Sequence, residues 1–194
     1  MIPKFTQKRS VYVSRNLSNV YELKRVSVII EDFLSLSRNK QRSVTDEQIN
    51  DIIQSFHPLI YAEATKKGIT IDMELQPNLP RIHVNKAEIT QLILNLVRNS
   101  IEVTNSLGTV KICTKYFEND KKYISLIISD MGCGIAKEDI PKIFTAVYAT
   151  KTNGTGLGLP VCKNIVDNHK GEITFSSIVG EGTTCTVYLP CKLD

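Results

Sequence analysis

Apolar positions change their period along the chain, and each change marks an element. Leu23, Val26, Ile30 and Phe33 step by 3, 4 and 3, which is heptad spacing. Ile29 and Leu34 widen that stripe, while Lys24, Arg25, Glu31 and Asp32 occupy the other side. This predicts an amphipathic helix over about 14–38, after a polar, unpatterned start at 1–13. A lone helix does not bury such a stripe, so it is expected to meet a partner helix, either a second copy or another protein. The polar run 39–44 reads as a linker, dividing the chain into a helical arm, 1–42, and a domain, 43–194.

Within the domain, Thr45-Asp-Glu-Gln48 has capping-box spacing and predicts a helix start, with the Thr45 hydroxyl and Gln48 amide satisfying free backbone donors. That helix is expected to run to about Lys67 and to stop at Gly68. Ile69, Ile71, Met73 and Leu75 then alternate as one face of a strand, and Pro77 and Pro80 break the chain. Asn85-Lys-Ala-Glu88 is a second cap-like start, ahead of Ile89, Leu92, Ile93, Leu96, Val97 and Ile101 at helical spacing. Two strands, 110–117 and 123–129, flank the turn signal Asn119-Asp120. A short helix is predicted over 137–144, a longer one over 157–169 ended by Gly171, and two last strands over 172–178 and 183–190. Helices and strands interleave in this way in an α/β domain.

Composition narrows the function classes. The formal charge of +4 is mild and dispersed, so nucleic acid is not an expected partner. Five cysteines occur without C-x-x-C pairs, which suits reduced thiols and a cytoplasmic setting better than a disulfide framework or a zinc site. No apolar run is long enough to cross a bilayer, and Met1-Ile-Pro-Lys lacks a signal-peptide core, so no membrane contact is expected of this segment.

The candidate chemistry sits in two glycine blocks. Asp130-Met-Gly132-Cys-Gly134 follows an apolar strand, and Gly154-Thr155-Gly156-Leu157-Gly158 enters a helix. Glycine permits close approach of a ligand to backbone, and a glycine-rich turn at a helix start aims N–H groups at an anion, commonly phosphate. The alternating glycines do not fit the dinucleotide fingerprint G-x-G-x-x-G, and no Walker loop or protein-kinase signature occurs. Asn95 and Asn99 lie four apart, on one face of a helix otherwise committed to apolar packing.

Together these blocks resemble the D-x-G-x-G, G-x-G-x-G and asparagine boxes of the ATP-binding catalytic domain of bacterial sensor histidine kinases, of the sporulation- or nitrogen-sensor kind. These belong with the gyrase, heat-shock chaperone and mismatch-repair ATPases. The resemblance implies a Bergerat-type two-layer α/β sandwich, a mixed sheet covered on one face by helices, and the cofactors ATP and Mg²⁺. It implies that Asp130 accepts a hydrogen bond from the adenine amino group, that Gly132 and Gly134 lie against the base, and that Thr183 helps hold it through water. Asn99 would ligate Mg²⁺ beside Asn95. Thr150, Lys151, Gly154, Thr155, Gly156, Leu157 and Gly158 would meet the phosphates from a lid over about 145–155, with Lys151 and Asn95 in catalytic roles. The arm resembles the second helix of the dimerisation and phosphoacceptor hairpin, its end reading Leu34-Ser-Leu-Ser-Arg38.

The sequence departs from the family at several points. Asn95 stands where the ATPase branches carry a glutamate that activates water, and an amide takes no proton from water at neutral pH. Glu102 and Val103 replace a basic residue and a tyrosine. Phe144-Thr-Ala146-Val-Tyr148-Ala-Thr150-Lys151 retains part of the box F-x-P-F-x-T-K. None of His57, His83 and His169 has a phosphoacceptor context, so the acceptor helix is expected to be missing from this segment. The expected function is the catalytic part of a histidine kinase, passing the γ-phosphoryl to a histidine of a dimerisation helix and then to a response regulator. The alternative is a nucleotide-dependent regulatory module acting in trans, such as an anti-sigma-type kinase or a pseudokinase.

Overall fold

The computed structural model describes residues 43–118, 122–145 and 157–191. All fall in the second of two units, Asn39–Asp194. The helical arm of 1–42 and its boundary with the domain lie outside the described residues.

In chain order the elements are β1 (Thr45–Glu47), α1 (Ile49–Lys66), β2 (Thr70–Leu75), β3 (Ile82–Val84), α2 (Lys86–Val103), β4 (Thr109–Glu118), β5 (Lys122–Asp130), α3 (Gly158–Asn168), β6 (Glu172–Ile178) and β7 (Gly182–Pro190). The main sheet has the order β2-β4-β5-β7-β6. Only β2 and β4 pair in parallel; the other pairs are antiparallel, which makes the sheet mixed. β1 and β3 form a separate antiparallel pair. This is the expected α/β sandwich.

Register sorts the sheet's two faces. The row Met73, Ile112, Ile128, Cys185 and Phe175 and the row Leu75, Thr114, Leu126, Val187 and Ile173 belong to one face. The apolar members of those rows pack with Ile52, Ile53, Phe56 and Ile60 of α1, Leu92, Ile93, Leu96 and Val97 of α2, and Val161, Cys162, Ile165 and Val166 of α3 in one core. On the opposite face, the row Asp72, Lys111, Ser129, Thr184 and Ser176 is polar, as a face turned from the helices should be. The row that matters for function comes at the sheet's end, on the helix side: Ile71, Val110, Asp130, Thr183, Ser177.

Two predicted starts came out differently. At Asn85 the cap forms: its Oδ1 accepts from Glu88 N at 3.1 Å. At Thr45 it does not. Thr45–Glu47 is a strand paired with β3, and α1 begins only after Gln48, which makes no side-chain cap. Gln48 Nε2 instead donates to Leu79 O at 2.7 Å, tying the helix start to the Pro77–Pro80 loop. The end of α1 follows prediction. Gly68, at φ 68°, allows Ile69 N to reach Ala64 O at 3.0 Å and Gly68 N to reach Thr65 O at 3.0 Å, a Schellman closure. The short helix expected over 137–144 reduces to a 3₁₀ turn at Ile140–Lys142, with Pro141 inside it and hence one backbone donor fewer.

Candidate functional site

β5 runs out of the core at Asp130, on the sheet face that the helices cover. Its carboxylate is held from three directions. Oδ1 accepts from Gly132 N at 3.0 Å and from Thr183 N at 3.2 Å. Oδ2 accepts from the hydroxyl of Ser100, on α2, at 3.0 Å. Three donors on one half-buried carboxylate fix its plane and leave one Oδ2 lone-pair direction for something else.

The glycines around it answer to different demands. A Cβ at Gly132 would stand 2.5 Å from Val103 Cγ2, because the end of α2 presses on this turn and Thr104 bridges to Gly132 in antiparallel fashion. Gly134 has φ 71°, and a Cβ there would fall 2.2 Å from Ile178 O. Gly182, at φ 130°, would meet Asp130 O at 2.0 Å. These three are required by the fold's own packing. Gly158, the first residue of α3, has neither a positive φ nor a described atom within 4 Å of a built Cβ. Nothing in the described fold accounts for a glycine there.

Thr183 joins the same end of the sheet. Its hydroxyl meets Ser177 Oγ at 2.9 Å, and Ser177 Oγ in turn accepts from Ile135 N at 2.8 Å, so the turn after Gly134 is fastened to β6. Gly180 N donates to Cys133 O at 2.9 Å, closing the β6–β7 turn onto the Asp130 loop. Met131, Cys133, Ile178 and Val179 are exposed along this rim. Cys185, one core row inside, is an inert thiol: burial pushes its pKa well above the ordinary value.

Asn95 and Asn99 lie on α2 one turn apart, about 6 Å along its axis. Both are half-buried. Asn95 Nδ2 is buried without a hydrogen-bond partner. An amide donor in that state costs on the order of 1–3 kcal/mol unless an acceptor arrives, so a ligand oxygen suits it. Among the described residues no three His, Cys, Asp or Glu side chains gather to hold a metal by themselves.

The structure thus brings Asp130, Gly132, Gly134 and Thr183 together where β5 ends and β7 begins, with α2 across them. Leu157 precedes α3 and its carbonyl accepts from Val161 N at 3.0 Å. Thr150, Lys151, Gly154, Thr155 and Gly156 lie outside the described residues. Ser100 was not anticipated, although the sequence carries a signal for it. It falls four residues after Leu96 and three after Val97, a hydroxyl in the middle of an apolar stripe.

Residues 84–193 match the family described as histidine kinase-, DNA gyrase B-, and HSP90-like ATPases. The chain belongs to that family. It is 32% identical over 169 residues to the sensor histidine kinase ZraS of Salmonella typhimurium, covering 87% of this chain and 36% of that protein. It is also 32% identical over 173 residues to sporulation kinase B of Bacillus subtilis, covering 89% and 40%. The chain therefore spans well under half the length of these relatives. The nucleotide-free catalytic domain of histidine kinase ThkA superposes with a TM-score of 0.66 at 31% identity, covering 76% of this chain and 95% of that one. ThkA in complex with the response regulator protein TrrA gives 0.75 at 25% identity, over 99% of this chain and 53% of that one. The fold and the kind of domain, a histidine kinase catalytic domain, agree with what the sequence motifs imply. No described helix is long and apolar enough to cross a membrane.

Proposed function

We propose that this chain binds Mg²⁺·ATP and donates the γ-phosphoryl group to a histidine on a dimerisation helix, from which it passes to an aspartate of a response regulator. The observation that carries the reading is the Asp130 carboxylate, fixed by Ser100, Gly132 and Thr183 with a free lone pair on Oδ2. Such an acceptor suits the adenine amino group and repels the carbonyl that guanine would place there. The turn 132–134, held in place by its packing against Val103 and Ile178, would offer its backbone edge to the base, and Thr183 would border it.

The phosphates then run toward α2 and the start of α3. Asn95 Nδ2, buried without an acceptor, would donate to a phosphate oxygen, and the Asn99 amide oxygen would ligate Mg²⁺. Magnesium favours oxygen ligands and keeps phosphate among them, so one neutral protein ligand suffices. The metal supplies neutralisation of the charge on the phosphate oxygens. Gly158, with no described atom within 4 Å of a built Cβ, would admit a phosphate to the α3 N-terminus, and the motif residues Thr150, Lys151, Gly154, Thr155, Gly156 and Leu157 would supply further phosphate contacts. In the transfer, an imidazole nitrogen forms a bond to the γ-phosphorus as the bond to the β,γ-bridging oxygen breaks. ADP leaves, and the proton on the second ring nitrogen passes to water. Nothing at Asn95 can deprotonate water, which favours this transfer over hydrolysis.

Calorimetry tests the site. The wild type should bind Mg·ATP and discriminate against GTP, Asp130→Asn should weaken ATP, and Asn99→Ala should lose the magnesium-dependent part of the affinity. Equal binding of ATP and GTP by the wild type would sink the adenine assignment. Unchanged Mg·ATP binding in Asn99→Ala would remove Asn99 from the metal.

A further inference from the structure

Among the described residues, Ser100 is the one side chain that grips Asp130, on the oxygen that has a lone pair left for a ligand. Gly132 N and Thr183 N both donate to Oδ1, and those donors are backbone, present whatever the side chains are. The Ser100 hydroxyl is the third, at 3.0 Å from Oδ2. Ser100 is 6% exposed, so its proton has little access to water. The backbone around it is anchored too: Thr104 N and Thr104 Oγ1 both donate to Ser100 O, at 3.1 and 2.7 Å. The serine therefore stands fixed on α2 while its hydroxyl points across to the sheet.

We infer that Ser100 is a positioning residue for base selectivity, orienting the Asp130 carboxylate so that Oδ2 presents one lone pair to a purine amino group. This rests on the nucleotide reading above. Two donors on Oδ1 leave a carboxylate free to tilt about its Cβ–Cγ bond; a third donor on the other oxygen removes that freedom. A carboxylate oxygen offers about two acceptor directions, and with Ser100 on one of them the other is aimed and its alternatives are gone. Preorganisation of that kind acts only on ligands that use the aimed lone pair.

The experiment compares ATP with purine riboside triphosphate, which lacks the 6-amino group and is otherwise the same shape, in the wild type, Ser100→Ala and Ser100→Cys. Ser100→Ala removes the donor and leaves a small gap, whereas Ser100→Cys replaces it with a bulkier, weakly donating thiol, so a loss common to both reports the hydrogen bond and not the packing. ATP affinity should fall about three- to tenfold in both variants, the size of one net hydrogen bond, while affinity for the analogue moves by less than about twofold. Equal losses for both nucleotides, or an unshifted ATP affinity, overturn the inference and leave the nucleotide reading standing. Absence of ATP binding in the wild type overturns both.

Discussion

At the scale of single residues, two glycines of the same motif set stand for opposite demands. Gly134 has no room for a side chain: φ is 71° and the backbone carbonyl of Ile178 lies 2.2 Å from where a Cβ would go. Gly134→Ala should therefore cost about 2–4 kcal/mol, from left-handed backbone strain plus forced displacement of a carbonyl, and lower the melting temperature accordingly. Gly158 is the converse. Alanine fits the described structure and is the better helix former, so Gly158→Ala should leave the melting temperature unchanged or slightly raised while weakening ATP. Paired melting curves and nucleotide titrations check both variants, and an intact ATP affinity in Gly158→Ala would mean that the α3 start meets no phosphate. The sequence displayed both glycines equally, as members of a spacing. Which one serves the fold and which serves a ligand depends on neighbours 44 and more positions away, such as Ile178 opposite Gly134, and no local pattern encodes them.

At the scale of elements, legibility followed how local the deciding interaction is. Asn85 and Glu88 are three residues apart and their bond is made within one turn, so the cap could be read directly. Thr45 had the same spacing to Gln48, but β3, nearly forty residues on, paired with Thr45–Glu47, and Leu79 took the Gln48 amide. Tertiary pairing overrode a local signal. The cap of α2 is itself fastened from afar: Asn85 N donates to His169 Nε2 at 3.0 Å, and His169 Nδ1 contacts Ile165 O at 2.7 Å. A neutral imidazole with its proton on Nδ1 satisfies both bonds, a tautomer assigned from the network. The start of α2 and the end of α3 are thus tied by one ring. Asn85→Ala removes the side-chain cap and leaves the backbone bond to His169, so it should cost about 1 kcal/mol in a denaturant titration. A loss above about 2 kcal/mol would mean that the His169 bridge fails with the cap, and that the two helices are coupled more tightly than separate bonds imply.

At the scale of the whole molecule, the question is where the phosphoryl group can go. The sequence holds three histidines, and all three lie in the described domain. His57 sits on α1 with its ring 5.8 Å from that of Tyr61. His83 is on β3, where Nδ1 meets Asp46 Oδ1 at 2.8 Å. The His169 side chain is covered and bonded at the N-terminus of α2, so the helix rise places it about 15 Å from the level of Asn95 and about 21 Å from that of Asn99. Phosphoryl transfer needs the nucleophile within about 3–3.5 Å of phosphorus, and loss of that geometry removes several kcal/mol of rate enhancement. His169 reaches no such position without dismantling the two helix ends it joins, and His57 and His83 sit on α1 and β3, which contribute no residue to the candidate site. The chain should accordingly bind ATP, hydrolyse it slowly because Asn95 is no base, and take up no acid-labile, base-stable label from γ-labelled ATP. Added histidine-bearing helical hairpin from a sensor kinase should become labelled instead, at a rate that falls with Asn99→Ala. Label retained on His57, His83 or His169 at a rate comparable to that hairpin would overturn the argument, because it would show that the domain opens far enough to bring its own imidazole to the γ-phosphate.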